Sequence, residues 1–245
     1  MSAYDSLAAW YDVFTRDVPY DALTDYYAAL LGLGTRPGAT LLDLCCGTGA
    51  LTLPLARRGF ELIGVDRSPE MLSRARSKAE DAPAAVPPLF LCQEAAELDL
   101  YGTVSGAFCA LDGFNYLSPG ELSETLRRLH LFIEPGGVLA FDIHAPEHLR
   151  ELDGSVFLDE TDDALCLWRA EFDGEEGALY YAMDIFSRSG ALWRREQEEH
   201  IEYAHDPEAV LDLLAASGFA EAELLRDGPQ HEMGRLFLRA VNLPH

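Results

Sequence analysis

Lysine is almost missing from this 245-residue chain: Lys78 is the single example, and all the other residues among its 18 basic ones are arginine. No stretch of Lys or Arg forms a basic run, while 42 acidic residues bring the formal net charge to −24. Such a surface repels phosphate backbones and anionic membranes, so nucleic acid is a disfavoured partner and no membrane association is expected. Long apolar runs are missing too. No segment approaches the ~18 apolar residues of a membrane span. The opening MSAYDSLAAWYDVFTRD has neither the basic start nor the apolar stretch of a signal peptide. Cysteine is sparse: Cys45, Cys46, Cys92, Cys109 and Cys166 give an odd count and no C-x-x-C pair. They read as reduced, buried thiols with no metal site, and the chain is expected to be soluble and cytoplasmic.

What is present supports a folded domain. Hydrophobic residues make up 49% of the chain, enough for a sizeable core in a single domain of 245 residues. Residues 2–34 show helical periodicity in two pieces, broken at DVPYD by Pro19. Strands at 39–45, 60–66, 87–93, 103–110 and 138–144 then alternate with helices at 49–59 and 68–81 and one from Ser118 to the Pro135-Gly136-Gly137 stop. This alternation predicts an α/β fold, a parallel sheet with helices on both faces. From about residue 155 to 203 three or four long β-like runs follow one another without a helix, two of them meeting at Ser189-Gly190, which predicts an antiparallel sheet. In the last run Arg194, Glu196, Glu198, His200 and Glu202 share one face and Trp193, Ile201 and Tyr203 the other, so the charged face reads as the wet side. A capped helix at 206–218 and two strands, 219–227 and 234–242, complete the chain; the strands are expected as a hairpin on the edge of the main sheet.

The chemistry concentrates in LLDLCCGTGALTLPLARRGFELIGVDRSPEML, residues 41–72. The first strand ends at Leu44-Cys45, so Cys46-Gly47-Thr48-Gly49 forms a turn at the carboxyl edge of the sheet, where open parallel sheets bind ligands. Gly47 and Gly49 permit positive φ and a close backbone approach. A pyrophosphate would meet exposed amides here, yet Asp43 lies immediately upstream and would oppose it. Thr52 stands where a dinucleotide fingerprint needs its third glycine, and nothing downstream resembles a hydride-transfer site, which argues against an NAD(P)-dependent oxidoreductase. A fixed carboxylate at Asp43 suits an ammonium group. Asp66, closing the second strand, suits the two hydroxyls of a ribose. An amino acid over the first strand and an adenosine over the second describe S-adenosylmethionine. The competing structural roles are turn capping for Asp43 and helix N-capping for Asp66, although Ser68 already fills the latter.

On these residues the chain resembles the class I S-adenosylmethionine-dependent methyltransferases. The likeness covers residues ~38–144, where the glycine turn, Asp66 and EPGG before the fifth strand fall at the family's spacing. It is also similar to a bacterial branch with an N-terminal Tyr-Asp motif and a β-rich insertion after strand five, itself similar to amino-sugar N-methyltransferases. The resemblance implies a Rossmann-like, seven-stranded, mostly parallel sheet in one domain: an N-terminal helical lid over 1–37, a core of 38–150 and 206–245, and an inserted β sub-domain over 151–205 that walls the acceptor. Cys45 departs from the family's glycine or alanine and implies tighter packing against the methionine. Thr48 belongs to the cofactor turn.

By the same resemblance Gln93, Glu94 and Ala95 meet the adenine, Glu94 standing where Asp is common. Arg67 and Met71 flank the ribose and adenine, and Leu111 lies under the methionine chain. Tyr4, Trp10, Tyr11 and Tyr20 cluster in the N-terminal helices, and Tyr11 and Tyr20 are expected to reach the cofactor, an aromatic face being suited to a sulfonium; helix packing is the alternative. Asp112 and Asn115 read either as groups facing the acceptor or as turn formers. His144 reads either as a rim base or as a hydrogen-bonded structural residue. Asp112 and His144 are therefore the candidate catalytic bases, with S-adenosyl-L-methionine as cofactor, a small-molecule acceptor methylated at nitrogen or oxygen, and a monomer or homodimer as the assembly. The alternatives are a non-enzymatic S-adenosylmethionine-binding module and a methyltransferase acting on RNA or protein.

Overall fold

Three polar residues set the starts of the principal helices. Ser68 accepts a hydrogen bond from the Met71 amide at 3.2 Å ahead of α4 (Pro69–Asp81). Ser118 and Glu121 form a reciprocal capping box on α5 (Pro119–Phe132). The Asp206 carboxylate takes the Glu208 and Ala209 amides at the head of α7 (Pro207–Ala216). Each cap satisfies amides that have no partner within the helix, and each is followed by a proline whose fixed φ suits the first helical position. The computed structural model describes residues 6–35 and 38–244, so the expectation for Tyr4 lies outside the described residues.

These helices pack on a seven-stranded sheet in the order β10-β11-β5-β4-β1-β2-β3. Its strands are β1 (Thr40–Leu44), β2 (Glu61–Asp66), β3 (Leu89–Cys92), β4 (Val104–Cys109), β5 (Ile133–His144), β10 (Phe219–Leu225) and β11 (Arg235–Asn242). The five strands from β5 to β3 run parallel, whereas β11 is antiparallel to both its neighbours. The last two strands do form a hairpin, but β11 inserts between β10 and β5, which leaves β10 at the edge. β5 starts at Ile133, so the Pro135-Gly136-Gly137 stretch that reads as a helix stop lies inside the strand, where the β4 pairing shifts register.

One face of the sheet buries Leu122, Leu126 and Leu129 of α5 with Val210 and Leu214 of α7. The other buries Leu23 and Tyr27 of α2 (Tyr20–Leu30) and Leu55 of α3 (Thr52–Arg57). A buried leucine of this kind contributes about 1.5–3 kcal/mol. Strand order reverses between β1 and β4, which places a crevice beyond their carboxyl ends.

A short helix that the sequence pattern does not announce, α6 (Pro146–Glu151), leads to a four-stranded antiparallel sheet: β6 (Val156–Glu160), β7 (Ala164–Asp173), β8 (Ala178–Ser189) and β9 (Leu192–Tyr203). Its charged face is not the wet one. Glu198, His200 and Glu202 are buried, opposite Met183, Tyr181 and Leu179 of β8. Trp193, on the other face, is 51% exposed. Solvent instead meets the side where Arg169 and Arg195 hold Asp184 at 2.8 and 2.5 Å. Leu7, Trp10, Tyr11 and Phe14 of the N-terminal segment pack against the inner face of this second sheet, Tyr11–Phe14 forming α1.

Candidate active site

The turn after β1 is held by the acid at the end of β2. The Gly47 amide donates to Asp66 at 2.8 Å, and the Ser68 amide donates to its other carboxylate oxygen at 2.9 Å. Each oxygen has capacity for a further hydrogen bond and the residue lines the crevice, so Asp66 fixes the turn and can still accept from a ligand. Asp43 sits one layer deeper and accepts from Thr52 Oγ1 at 2.5 Å. Burial pushes its pKa up to about 7; the Thr52 hydrogen bond opposes this and the neighbouring Asp66 adds to it. Burial also raises Asp66, against the Ser68 and Gly47 amides. Gly49 adopts φ +76°, and a Cβ there would lie 3.3 Å from that of Ala75, so glycine lets α4 approach the turn.

Between these strand tips opens a cleft continuous with solvent. Its mixed polar and apolar lining suits a nucleoside joined to an amino acid. Asp43, Cys45, Gly47 and Thr48 line it from the first strand and turn; Asp66, Arg67 and Met71 from the second strand and α4; Gln93, Glu94 and Ala95 from the loop after β3; Leu111 from beyond β4; and Tyr11 from above. Gln93 turns its amide away to hold the loop, bonding the Asp99 carbonyl and amide at 3.1 and 3.0 Å. Two expected residues stand elsewhere. Gly49 does not line the cleft, because it is used against α4. Tyr20 does not line it either: its hydroxyl donates to Thr15 Oγ1 at 2.7 Å and its ring packs beside α2 and α3.

The N-terminal segment is clamped over this cleft at two points. Thr48 Oγ1 donates to the Asp12 carboxylate at 2.6 Å, and Lys78 reaches both Asp12 (2.9 Å) and Thr48 (3.0 Å). The Thr48 hydroxyl is therefore bonded to the N-terminal segment, although the residue lines the cleft. At the other end the Glu198 carboxylate accepts the Ser6 and Leu7 amides at 2.5 and 3.1 Å. The sole lysine and a buried acid of the second sheet thus fasten one strap to both layers.

Beyond Leu111 lies a buried polar cluster. Leu111 and Asp112 both adopt left-handed conformations, φ 60° and 56°, which cost a non-glycine residue on the order of 1–2 kcal/mol each. Asp142 holds them there, accepting the Leu111 amide at 2.9 Å and the Asp112 amide at 2.8 Å, and also the Tyr27 hydroxyl and the Arg235 guanidinium. Arg235 and Asp142 were not singled out in the sequence. An acid within the apolar run VLAFDIH was the available signal for Asp142; the register of β11 on β5, which pairs Arg235 with His144, was not visible.

The second guanidinium nitrogen of Arg235 donates to Asp112 at 2.9 Å. His144 is gripped by Asn115, which accepts its backbone amide at 3.0 Å, and its Nδ1 faces Glu202 of β9 at 3.2 Å. Asn115 spends its amide group on the Tyr203 carbonyl, 2.9 Å away, and tethers the second sheet instead of facing an acceptor. Asp112 and His144 stand outside the lining of the main cleft but next to it, since Leu111 and Gly113 both line it. Tyr11 lies close enough to Asp112 and Arg235 to sense both charges.

Donor atoms of Asp112, His144 and Glu202 fall within 4.8 Å of one another. They do not make a convincing metal cage. Glu202 faces Nδ1 while Asp112 faces Nε2 at 3.7 Å, so the two acids occupy opposite edges of one ring, and Arg235 already neutralises Asp112. The ring is hydrogen-bonded on its Glu202 edge and faces the Asp112 charge across a wider gap on the other.

A family model described as a methyltransferase domain matches residues 41–137. YqeM of Bacillus subtilis (strain 168), which carries a provisional methyltransferase name, is 30% identical over 244 residues, covering 97% of this chain and 96% of its own. A crystal structure of an S-adenosylmethionine-dependent methyltransferase from Clostridium acetobutylicum ATCC 824 superposes with a TM-score of 0.82 at 25% identity, covering 99% of this chain and all of that one (100%). The sugar N-methyltransferase KedS8 from Streptoalloteichus sp. ATCC 53650 superposes with a TM-score of 0.79 at 25% identity, covering 96% of this chain and 93% of its own.

Proposed function

Because this chain belongs to the class I S-adenosylmethionine-dependent methyltransferases, we propose that it methylates a nitrogen or oxygen of a small-molecule acceptor by direct in-line displacement, using the cleft at the tips of β1 and β2 and the polar cluster beyond Leu111. The observation that carries this reading is the adjacency of two compartments: an open cleft with two acids at its head, and a buried polar cluster one residue past its floor. When bound, S-adenosylmethionine supplies a methyl group activated by positively charged sulfur, so the chain has mainly to position and desolvate.

Asp43 takes the ammonium end and Asp66 the ribose hydroxyls. Gln93, Glu94 and Ala95 border the adenine, with Arg67 and Met71 on its flanks. Cys45 and Leu111 underlie the methionine chain, and Tyr11 covers the sulfonium side and excludes water. The second sheet, with Tyr181 and Glu202 on its inner face, forms the acceptor wall, and Asp112 or His144 is the base if the acceptor carries a proton. The sugar N-methyltransferase among the structural relatives supports a small polar acceptor. The test is release of S-adenosylhomocysteine from purified protein offered labelled cofactor and a panel of small amines, amino sugars and hydroxyl compounds; turnover of a macromolecular acceptor alone would refute it.

A proton belongs in the cofactor equilibrium. The raised folded pKa of Asp43 means that the folded state binds a proton more readily than the unfolded one does. Its contribution to stability is therefore complete below the unfolded value of about 3.9 and is lost as pH rises through about 7. An ammonium ligand demands the ionised form, so binding below about pH 7 should expel a proton. Affinity should fall towards tenfold per unit as pH drops below that point. Calorimetry in two buffers of different ionisation enthalpy checks this, and a flat profile removes Asp43 from the ammonium contact.

The strap sets a rate. The side chains of Lys78 and Asp12 are 34% and 41% exposed, so their pair contributes only about 0.2–1 kcal/mol. Lys78→Met is expected to speed cofactor dissociation by up to about fivefold with little change in melting temperature, as stopped-flow fluorescence would show.

A further inference from the structure

The polar cluster contains two candidate bases, and its geometry chooses between them. We infer that Glu202, contributed by the second sheet, is a positioning residue that holds His144 with its proton on Nδ1, so that Nε2 is the atom that accepts the acceptor's proton during methyl transfer. This rests on the methyltransferase reading above and adds to it a named proton acceptor and a role for β9.

Glu202 is 4% exposed, and one of its oxygens lies 3.2 Å from His144 Nδ1. The other accepts from the Tyr116 hydroxyl at 3.3 Å, so the carboxylate is oriented from both ends. An ionised carboxylate can only accept, which obliges Nδ1 to carry the hydrogen and leaves the lone pair of the neutral ring on Nε2. At Nε2 the nearest donor is Arg235, and its 3.5 Å separation leaves the lone pair only weakly engaged. The His144 main chain is tied to Asn115, and the ring packs against that of His148, 5.2 Å between centroids.

Asp112 is the poorer base. It accepts from Arg235 at 2.9 Å, and although burial alone would raise its pKa, His144 and then Arg235 bring it below the ordinary carboxylate value. His144 responds in the opposite sense. Burial pushes it down, but Asp112 and then Glu202 outweigh that and leave it above the ordinary imidazole value, with Arg235 opposing. The charged or titratable groups facing it are thus Asp112 from the loop after β4, Glu202 from β9, Arg235 from β11 and His148 from α6. Each favours or opposes an imidazolium at His144, and the two acids prevail.

The step balances. The acceptor heteroatom forms its bond to the methyl carbon as the carbon–sulfur bond breaks, and that bond's electron pair stays on sulfur as a neutral thioether. The proton of the acceptor passes to Nε2, and the imidazolium between Glu202 and Asp112 later returns it to water. Because Glu202 arrives on β9, the base is complete only when the second sheet is docked on the first. A mobile or truncated insertion would leave the cofactor cleft intact and the base misdirected.

The acceptor need not be known to test this. Nitrogen NMR on ring-labelled histidine, in the full chain saturated with S-adenosylhomocysteine, reads both tautomer and titration; His144→Gln assigns the signal among the seven histidines. The expected result is a neutral His144 protonated at Nδ1. In Glu202→Gln its titration midpoint should fall by about one pH unit or more with loss of the tautomer preference, whereas Glu196→Gln, on the same strand face, leaves both unchanged. A neutral ring protonated at Nε2 in the unsubstituted chain overturns the proposal, and needs no variant to fold. So does an unshifted midpoint in a folded Glu202→Gln. A merely structural Glu202 would lower the melting temperature without moving the midpoint. Calorimetric binding of S-adenosylmethionine to the same samples separates the outcomes: no binding refutes the methyltransferase site, while binding with the wrong tautomer refutes only the positioning role.

Discussion

Arg235→Met is expected to cost about 3–5 kcal/mol of folding stability, the loss seen when one partner of a buried ion pair is removed and the other stays charged. Arg235 is 6% exposed and Asp142 is fully buried. Without the guanidinium, Asp142 keeps the Tyr27 hydroxyl and the Leu111 and Asp112 amides, which satisfy its lone pairs but not its charge. Asp112 loses its 2.9 Å partner at the same time. Urea unfolding measures the effect as a shift in midpoint at unchanged slope. Arg235→Met combined with Asp142→Asn and Asp112→Asn should recover part of the loss, because the destabilisation comes from stranded charge and an asparagine at 142 still offers one acceptor oxygen to the donors there. A single-site loss below about 1 kcal/mol would mean that water reaches this cluster and screens it.

Asp66→Ala should weaken S-adenosylmethionine binding by roughly 1.5–3 kcal/mol, about 10- to 150-fold, the range for hydrogen bonds to a charged acceptor. Two effects share this loss. The variant removes the acceptor assigned to the ribose, and it also frees the Gly47 and Ser68 amides that order the turn and the head of α4. Asp66→Asn keeps one acceptor oxygen and replaces the other by an NH2 group, which cannot accept from Gly47, Ser68 or a ribose hydroxyl, so an intermediate loss is expected. Urea unfolding of the cofactor-free variants reads the turn's share separately from the ligand's. Unchanged calorimetric affinity in both variants would place the ribose elsewhere.

The alternating strands and helices, the two acids and the glycine turn were legible because local rules fix them: period, capping and a two-residue bend act within a dozen residues. The second sheet was legible as β structure for the same reason, but its polarity was read the wrong way round. Alternation tells which residues share a face and says nothing about what lies against that face. Glu198, His200 and Glu202 look solvated in sequence, yet they receive the amides of Ser6 and Leu7 and the ring of His144 from far along the chain. Tyr20 stands outside the cleft lining for a related reason: its hydroxyl has a local partner, Thr15, five residues away. Asp142 and Arg235 could not be paired without the β5–β11 register, which long-range packing decides.

The scarcity of lysine turns the strap into its own reporter. Apart from the chain's α-amine, an acylating reagent has one aliphatic amine to find, Lys78 Nζ, and that nitrogen is engaged by Asp12 and Thr48. The speed at which mass spectrometry records the added label on the Lys78 peptide therefore reports how often this contact breaks, with no engineered probe.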